Sequence, residues 1–171
     1  MVLPAAGVKD SIIILTTKSQ SCQGPANQIT VVNVALAVSG FGPIPVVIQR
    51  LTDIVTTCGT TIQQFAGTKP YTEKGDQDII FEAFRDFVKV HQDLLNILIG
   101  KGGLVPALLP FVGPPLAAVL RQIESVVDTI AFELIDACEA RSTDLTAQKD
   151  ALDVVIGKTI DTWSGSVTVT V

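Results

Sequence analysis

The segment from Leu104 to Leu120 is the best candidate for a membrane span in this sequence, yet prolines stand at positions 106, 110, 114 and 115 within it. Each proline removes a backbone hydrogen-bond donor and strains a helix, whereas a spanning helix needs about 20 consecutive apolar residues. The whole chain is nevertheless apolar, with 47% hydrophobic residues and a mean hydropathy of +0.47. We therefore expect no transmembrane segment. The surplus aliphatic surface is expected either to enclose an apolar ligand or to be exposed to an apolar partner or surface.

The charge of the chain argues against two classes of partner. Its 171 residues fit one domain with a sizeable core. The net charge is -5, and the 12 basic residues are scattered singly. Because phosphate binding needs clustered Lys and Arg, we expect no nucleic-acid partner and no binding to anionic membranes through a basic helix face.

Residues that commonly carry catalysis or bind metals are few. His91 is the only histidine and falls within an apolar helical stripe, where a hydrogen-bonded core histidine is expected. Without a second histidine or paired thiolates, a zinc site has too few ligands, and no nucleophile motif accompanies His91. We therefore expect no metal, no cofactor and no enzyme activity; the alternative is a hydrolase that uses His91.

The three cysteines, Cys22, Cys58 and Cys138, lie far apart without a CxxC pair. They can be buried as small hydrophobic residues, or any two of them can form one disulfide and leave the third as a free thiol. The spacing does not choose between these alternatives.

Apolar residues recur at three- and four-residue spacing over four segments, which predicts four amphipathic helices. These run from Pro43 to Phe65, from about Thr72 to Gly100, from Pro114–Pro115 through Leu134, and from Ser142 or Thr143 to Trp163.

The two ends of the chain are less regular. The β-branched run Ile29–Val38 could form a strand, but a lone strand has no partner in a helical chain. We therefore predict one helix from about Val8 to Val38, bent near Gly24–Pro25. The alternating run Val167–Val171 predicts an extended tail. The expected organisation is an N-terminal extension (1–7), a helical domain (8–165) and this tail (166–171).

Several segments resemble the fungal hydrophobic-surface-binding protein A family, which includes the cell-wall galactomannoproteins. The resemblance covers roughly Val8 to Gly165 and rests on helix texture and order. Its segments are Gly42–Ile48, Leu51–Thr57, Phe81–Gln92, Leu94–Lys101, Ala117–Glu124 and Val126–Phe132.

The resemblance implies a secreted or wall-associated, all-α, single-domain bundle of about five amphipathic helices with a central apolar cavity. Members of the family bind hydrophobic surfaces, and some galactomannoprotein domains hold a long-chain fatty acid in a tunnel. The chain lacks a Ser/Thr-rich stalk and a lipid-anchor signal, which argues against covalent wall attachment. It also starts without a signal peptide, which leaves a cytosolic protein or a mature secreted form.

Five such helices can enclose a tunnel lined mainly by Leu, Ile and Val, because aromatic residues make up only 5% of the chain. A lining of that kind suits a flexible alkyl chain, so we expect a long-chain fatty acid or a similar lipid as the partner. Polar residues beside the stripes, namely Gln49, Thr52, Gln122 and Ser125, are candidates for contact with its head group. The full predicted lining is Ile48, Leu51, Thr52, Ile54, Val55, Phe84, Phe87, Val88, His91, Leu95, Leu109, Val119, Gln122, Ile123, Val127, Ile130, Leu152, Val155 and Ile156.

The connection from Leu104 to Pro115 admits two interpretations. Its apolar side chains can cover the tunnel as a lid, or they can stand exposed and adsorb to hydrophobic solid surfaces. The second alternative gives an adhesion or recruitment protein without an internal ligand.

Overall fold

The computed structural model of the protein describes residues 3–104 and 109–165, and these residues are almost entirely helical. Five α-helices follow one another: α1 (Ala5–Asn27), α2 (Pro43–Phe65), α3 (Lys74–Gly102), α4 (Leu109–Ala137) and α5 (Ser142–Ser164). Short 3₁₀ helices occupy Val34–Ser39 and Glu139–Arg141, and no strand occurs in the described residues. The predicted all-α bundle of five helices is therefore confirmed. The predicted tail (166–171) lies outside the described residues, and the predicted domain boundaries stay a prediction.

The spacing of apolar residues sets the face that each helix buries. On α1 and α2 the buried positions alternate strictly in steps of three and four, which keeps one stripe turned inward over six turns. The buried positions are Ala5, Val8, Ile12, Leu15, Ser19, Cys22 and Ala26 on α1, and Ile44, Val47, Leu51, Ile54, Cys58, Thr61 and Phe65 on α2.

The five helices close into a ring. Each helix packs extensively against two others, in the order α1, α3, α5, α4, α2 and back to α1. The inward stripes therefore meet in one continuous core, in which Phe84, Phe87 and Trp163 are the largest fully buried side chains. Among the described residues, none of the helices is long and apolar enough to cross a membrane.

One end of the ring holds many charged side chains, and we call it the charged end: the start of α1, the end of α2, residues 66–73, the start of α3, the end of α4 and the start of α5. Hydrogen bonds join these parts. Tyr71 donates its hydroxyl to the Leu3 carbonyl at 2.6 Å and its amide to the Ala137 carbonyl at 2.9 Å. The opposite end, formed by residues 28–42, the end of α3, the start of α4 and the end of α5, holds few charged side chains, among them Lys101 and Asp161, and we call it the uncharged end.

The predicted continuous helix from Val8 to Val38 is wrong at both limits, because α1 begins at Ala5 and ends at Asn27. Pro25 lies in its last turn and has no amide to donate to the Ser21 carbonyl; the Arg50 guanidinium of α2 donates to that carbonyl instead, at 3.1 Å. Beyond α1, the Asn33 side chain accepts from the Thr30 amide at 2.8 Å and so stabilises a turn in place of further helix.

The predicted start of the third amphipathic segment is also wrong, because α4 begins at Leu109 rather than at Pro114–Pro115. Pro110 occupies the first turn, where amides have no partner within the helix and proline is tolerated. Pro114 and Pro115 lie inside the helix and each omits one hydrogen bond. Residues 105–108 of the predicted connection lie outside the described residues.

The cysteines follow the first of the two alternatives that the sequence left open. All three are free and buried. Burial raises the pKa of Cys22 and of Cys58 to about 12 and that of Cys138 to about 11. They remain protonated at neutral pH and pack as small apolar residues.

Candidate functional site

Most of the predicted lining residues lie inside the ring. They are contributed by four helices, α2 to α5, and all are buried. The buried members are Leu51, Ile54, Phe84, Phe87, Val88, His91, Leu95, Val119, Ile123, Val127, Ile130, Leu152 and Ile156. Three more, Ile48, Val55 and Val155, are half-buried and pack against this core.

Two polar members of the predicted lining do not face the interior, whereas the third, His91, does. Thr52 and Gln122 are exposed on the outer surface, as are the other two head-group candidates, Gln49 and Ser125. Thr52 follows the buried Leu51 and Gln122 precedes the buried Ile123, and one residue turns the side chain by about 100° around a helix. The Thr52 hydroxyl donates to the Ile48 carbonyl of its own helix at 2.8 Å. Of Leu109, only its position as the first residue of α4 is described.

The interior contains one polar pair between α1 and α3. Ser19 Oγ lies 2.9 Å from His91 Nδ1, and both residues are completely buried. The His91 ring stacks on Phe87, with 5.4 Å between ring centroids. Burial lowers the pKa of His91 to about 4, so the imidazole is neutral at pH 7. Ser19 was not among the residues predicted from the sequence, although its place four residues after Leu15 on the α1 stripe was a signal that it faces inward.

The Ser19–His91 pair does not provide the arrangement of a hydrolase. Within residues 3–104 and 109–165, His91 Nε2 has no hydrogen-bond partner, so no carboxylate of this part orients the ring as a catalytic pair requires. The Ser19 hydroxyl is buried away from solvent. Among the described residues, no group of three or more His, Cys, Asp or Glu side chains is placed to bind a metal ion. The chemistry available at this position is hydrogen bonding to a buried polar atom.

Three cavities bounded by described residues lie outside the predicted lining. One of about 100 Å³ lies at the charged end, between residues that include Val8, Phe65, Tyr71 and Leu134. The second lies between α1 and α2 beside Lys18 and Asp53, whose side chains pair at 2.6 Å, and the third lies between α1 and α3. None of the three contains a residue of the predicted lining.

The uncharged end exposes large apolar side chains. No Lys, Arg, Asp or Glu occurs between Lys18 and Arg50 or between Lys101 and Arg121, and both stretches pass through this end. The most exposed of its apolar side chains are Val32 at 87%, Phe41 at 69% and Phe111 at 67%. The other exposed members are Val31, Leu36, Val38, Val46 and Leu104. A concentration of exposed apolar residues at one end indicates a contact surface.

No protein-family profile matches this chain, and no curated protein does. Among solved structures, the chain is similar to the crystal structure of AfMP4p in complex with palmitic acid, with a TM-score of 0.70 and 14% sequence identity. The match covers 94% of this chain and 99% of AfMP4p. The TM-score shows that the two proteins share a fold.

Proposed function

We propose that the protein binds a long-chain fatty acid or a similar lipid inside the ring of helices, without catalysing a reaction. The observation that carries the proposal is the continuous aliphatic core of a closed five-helix ring whose fold is shared with a protein crystallised with palmitic acid. The resemblance of the sequence to the galactomannoprotein family supports the same function. The residues proposed to contact the alkyl chain are the buried members of the predicted lining.

The energetics favour an alkyl guest in such a core. Burial of a sixteen-carbon chain contributes on the order of 12 kcal/mol at about 0.8 kcal/mol per methylene group. Association and ordering of the chain cost several kcal/mol or more. The expected dissociation constant therefore lies between about micromolar and nanomolar. The proposal requires the aliphatic interior to admit an alkyl chain, and a binding experiment measures this directly.

Trp163 provides an internal reporter for that experiment. It is the only tryptophan, is fully buried, and donates its indole N–H to the Leu98 carbonyl at 2.9 Å. The protein is first delipidated, and the extract is analysed by mass spectrometry for a co-purified acyl chain. Palmitic acid is then titrated while Trp163 fluorescence and heat are recorded. Saturable one-to-one binding is expected, and the absence of saturable binding would reject the proposal.

We further propose that the protein works outside the cell, as a secreted or wall-associated protein. The family resemblance is the support for this location. Fractionation of the producing organism into medium, wall and cytosol, followed by detection of the protein, tests it. Recovery from the cytosol alone would contradict the proposal without affecting lipid binding.

A second candidate function is adsorption to hydrophobic solid surfaces. The exposed apolar side chains of the uncharged end favour it, because residues 28–42 and the start of α4 can contact a surface through side chains that carry no charge. Replacement of Val32 by Glu is expected to release the protein from hydrophobic beads. Val154→Glu is the matched control, because Val154 is 73% exposed on the outer face of α5. Equal release of both variants would exclude the uncharged end as the adsorbing surface.

A further inference from the structure

The polar side chains buried in the bundle are few, and nearly all of their polar atoms are bonded within the protein. Among the described residues they are Ser19, Thr61, Gln77, His91 and Thr159. The two threonine hydroxyls donate to carbonyls of their own helices, at 3.0 and 2.7 Å. Gln77 donates to the Tyr71 carbonyl and accepts from the Ala140 amide. Ser19 is hydrogen-bonded to His91 Nδ1. His91 Nε2 is then the side-chain atom of this group that has no hydrogen-bond partner among the described residues.

This nitrogen lacks a partner in either tautomer. If Ser19 donates to Nδ1, then Nε2 carries the proton and is a donor; if Nδ1 donates to Ser19, then Nε2 is an acceptor. A buried donor or acceptor without a partner costs about 1 to 3 kcal/mol. Two other buried side-chain atoms also lack a hydrogen bond, Thr68 Oγ1 and Asp128 Oδ1. Thr68 borders the cavity at the charged end, and Asp128 Oδ1 lies 3.7 Å from the Lys149 ammonium.

The position of His91 along the bundle matches the length of an acyl chain. At a rise of 1.5 Å per residue, His91 lies roughly 16 Å from the end of α3 at Gly102 and roughly 26 Å from its start at Lys74. An extended chain of sixteen carbons is roughly 19 Å long, given carbon–carbon bonds of about 1.5 Å. A chain with one end at His91 therefore reaches the uncharged end with its other end.

We infer that His91 Nε2 hydrogen-bonds the carboxyl group of the lipid, so that the head group lies deep in the bundle and the methyl end points toward the uncharged end. This inference rests on the proposed function. A carboxyl group supplies both an acceptor oxygen and, when protonated, a donor, so it satisfies either tautomer of His91. Ser19 positions the ring through Nδ1, and the stack on Phe87 fixes its plane. The outer polar residues Gln49, Thr52, Gln122 and Ser125 then have no part in binding the head group.

This arrangement selects for lipids with an oxygen-bearing end. A hydrocarbon of the same length buries the same methylene groups but leaves Nε2 without a partner. The hydrogen bond to the carboxyl group is therefore expected to favour palmitic acid over hexadecane by about tenfold to a hundredfold, beyond the preference that their solubilities in water produce.

Because His91 is the only histidine, ¹⁵N-histidine labelling gives one imidazole spin system. Addition of palmitic acid is expected to shift the Nε2 resonance much more than the same addition of hexadecane. Palmitic acid with a nitroxide near its carboxyl group should broaden the His91 signals strongly, and palmitic acid with the nitroxide near its methyl end should broaden them weakly. The reverse order, or saturable binding without a change at Nε2, would overturn the inference and leave lipid binding intact.

Variants test the same contact by affinity. His91→Leu is expected to weaken palmitic acid by about tenfold to a hundredfold while hexadecane binding is unchanged, and His91→Gln should retain most of the affinity for the acid. Thr159→Val removes another buried hydroxyl and is the matched control, with no expected change in the ratio of the two affinities. An unchanged ratio in His91→Leu would refute the inference. If the wild-type protein binds neither palmitic acid nor hexadecane, the proposed function is refuted instead. If His91→Leu does not fold, the ¹⁵N resonance experiment on the wild-type protein decides.

Discussion

The two ends of the ring are held together by different interactions. At the charged end, the Arg141 guanidinium binds Asp78 at 2.6 Å and Asp144 at 2.8 Å and lies over the Phe81 ring at 5.1 Å. Gln77 bridges residues 66–73 and the short 3₁₀ helix Glu139–Arg141 by two further hydrogen bonds. At the uncharged end, the Trp163 indole N–H bond to Leu98 is the main long-range hydrogen bond among the described residues. Apolar packing supplies the rest, and large apolar side chains remain exposed.

This difference indicates which end can open. Hydrogen bonds and ion pairs are directional, so they fix the register of the helices at the charged end. Apolar contacts are not directional, and side chains can rearrange among them at lower cost. The uncharged end is therefore the end at which we expect the proposed lipid to enter, in agreement with the orientation inferred from His91.

The largest expected effect is that of Trp163→Ala. Trp163 fills the core between α3 and α5 near the uncharged end, and its loss removes a large buried side chain and one hydrogen bond. The free energy of unfolding should fall by about 4 kcal/mol. Urea unfolding followed by circular dichroism measures it, with Val154→Ala as an exposed control that should change little. A loss below about 1 kcal/mol would contradict the view that apolar packing holds this end.

At the charged end, Gln77→Met should cost about 2 kcal/mol. Methionine has nearly the same shape but leaves the Tyr71 carbonyl and the Ala140 amide without their partner. The matched control is Gln92→Met, because the half-buried Gln92 makes a single bond, to the Ala151 carbonyl at 3.2 Å. If both variants unfold at the same urea concentration, the bridge made by Gln77 does not stabilise the charged end.

A third variant tests the close approach of α3 and α5 at the uncharged end. A Cβ atom at Gly102 would lie 2.5 Å from Thr162 Cγ2. Gly102→Ala should therefore cost about 1 kcal/mol, because overpacking outweighs the gain in helix propensity. The second substitution Thr162→Ser removes Cγ2 and should restore stability in the double variant. A double variant no more stable than Gly102→Ala would show that the contact with Thr162 Cγ2 does not cause the loss of stability.

Much of this fold follows from local pattern, and the parts that do not have identifiable physical causes. The three-four spacing on α2 predicted its limits at Pro43 and Phe65, as observed. The end of α1 was missed because it depends on side-chain bonds of Asn33 and on a contact between Arg50 and Ser21, which are 29 residues apart. The apolar face of the site was predictable by the same spacing. The Ser19–His91 pair joins residues 72 positions apart on two different helices, and the pattern of one helix does not encode such a pairing.

The smallest expected effect lies where Asp128 of α4 meets Lys149 of α5, nearer to the charged end than to the uncharged end. Burial, and then the neighbouring Asp153, raises the pKa of Asp128 from 3.8 to about 6, although Lys149 opposes the shift. A raised carboxyl pKa means that the fold favours the protonated form. Its contribution to stability is therefore fully present below about pH 4 and is lost as the pH rises through about 6. Because the side chain is 31% exposed, solvent screening limits the effect to about 1 kcal/mol or less.

Asp128→Asn should accordingly match the wild type at pH 4 and exceed its free energy of unfolding by up to about 1 kcal/mol at pH 7. Lys149 keeps Asp153 as a partner at 2.6 Å in this variant, so the main ion pair between them persists. Urea unfolding from pH 4 to pH 8 measures the difference, with the more exposed Asp150→Asn as the control. Parallel curves for the Asp128 variant and the wild type would show that this carboxyl titrates as it does in the unfolded chain. In that case the negative charge of Asp128 would not destabilise the fold. The contrast between the two ends would then rest on packing and hydrogen bonds alone.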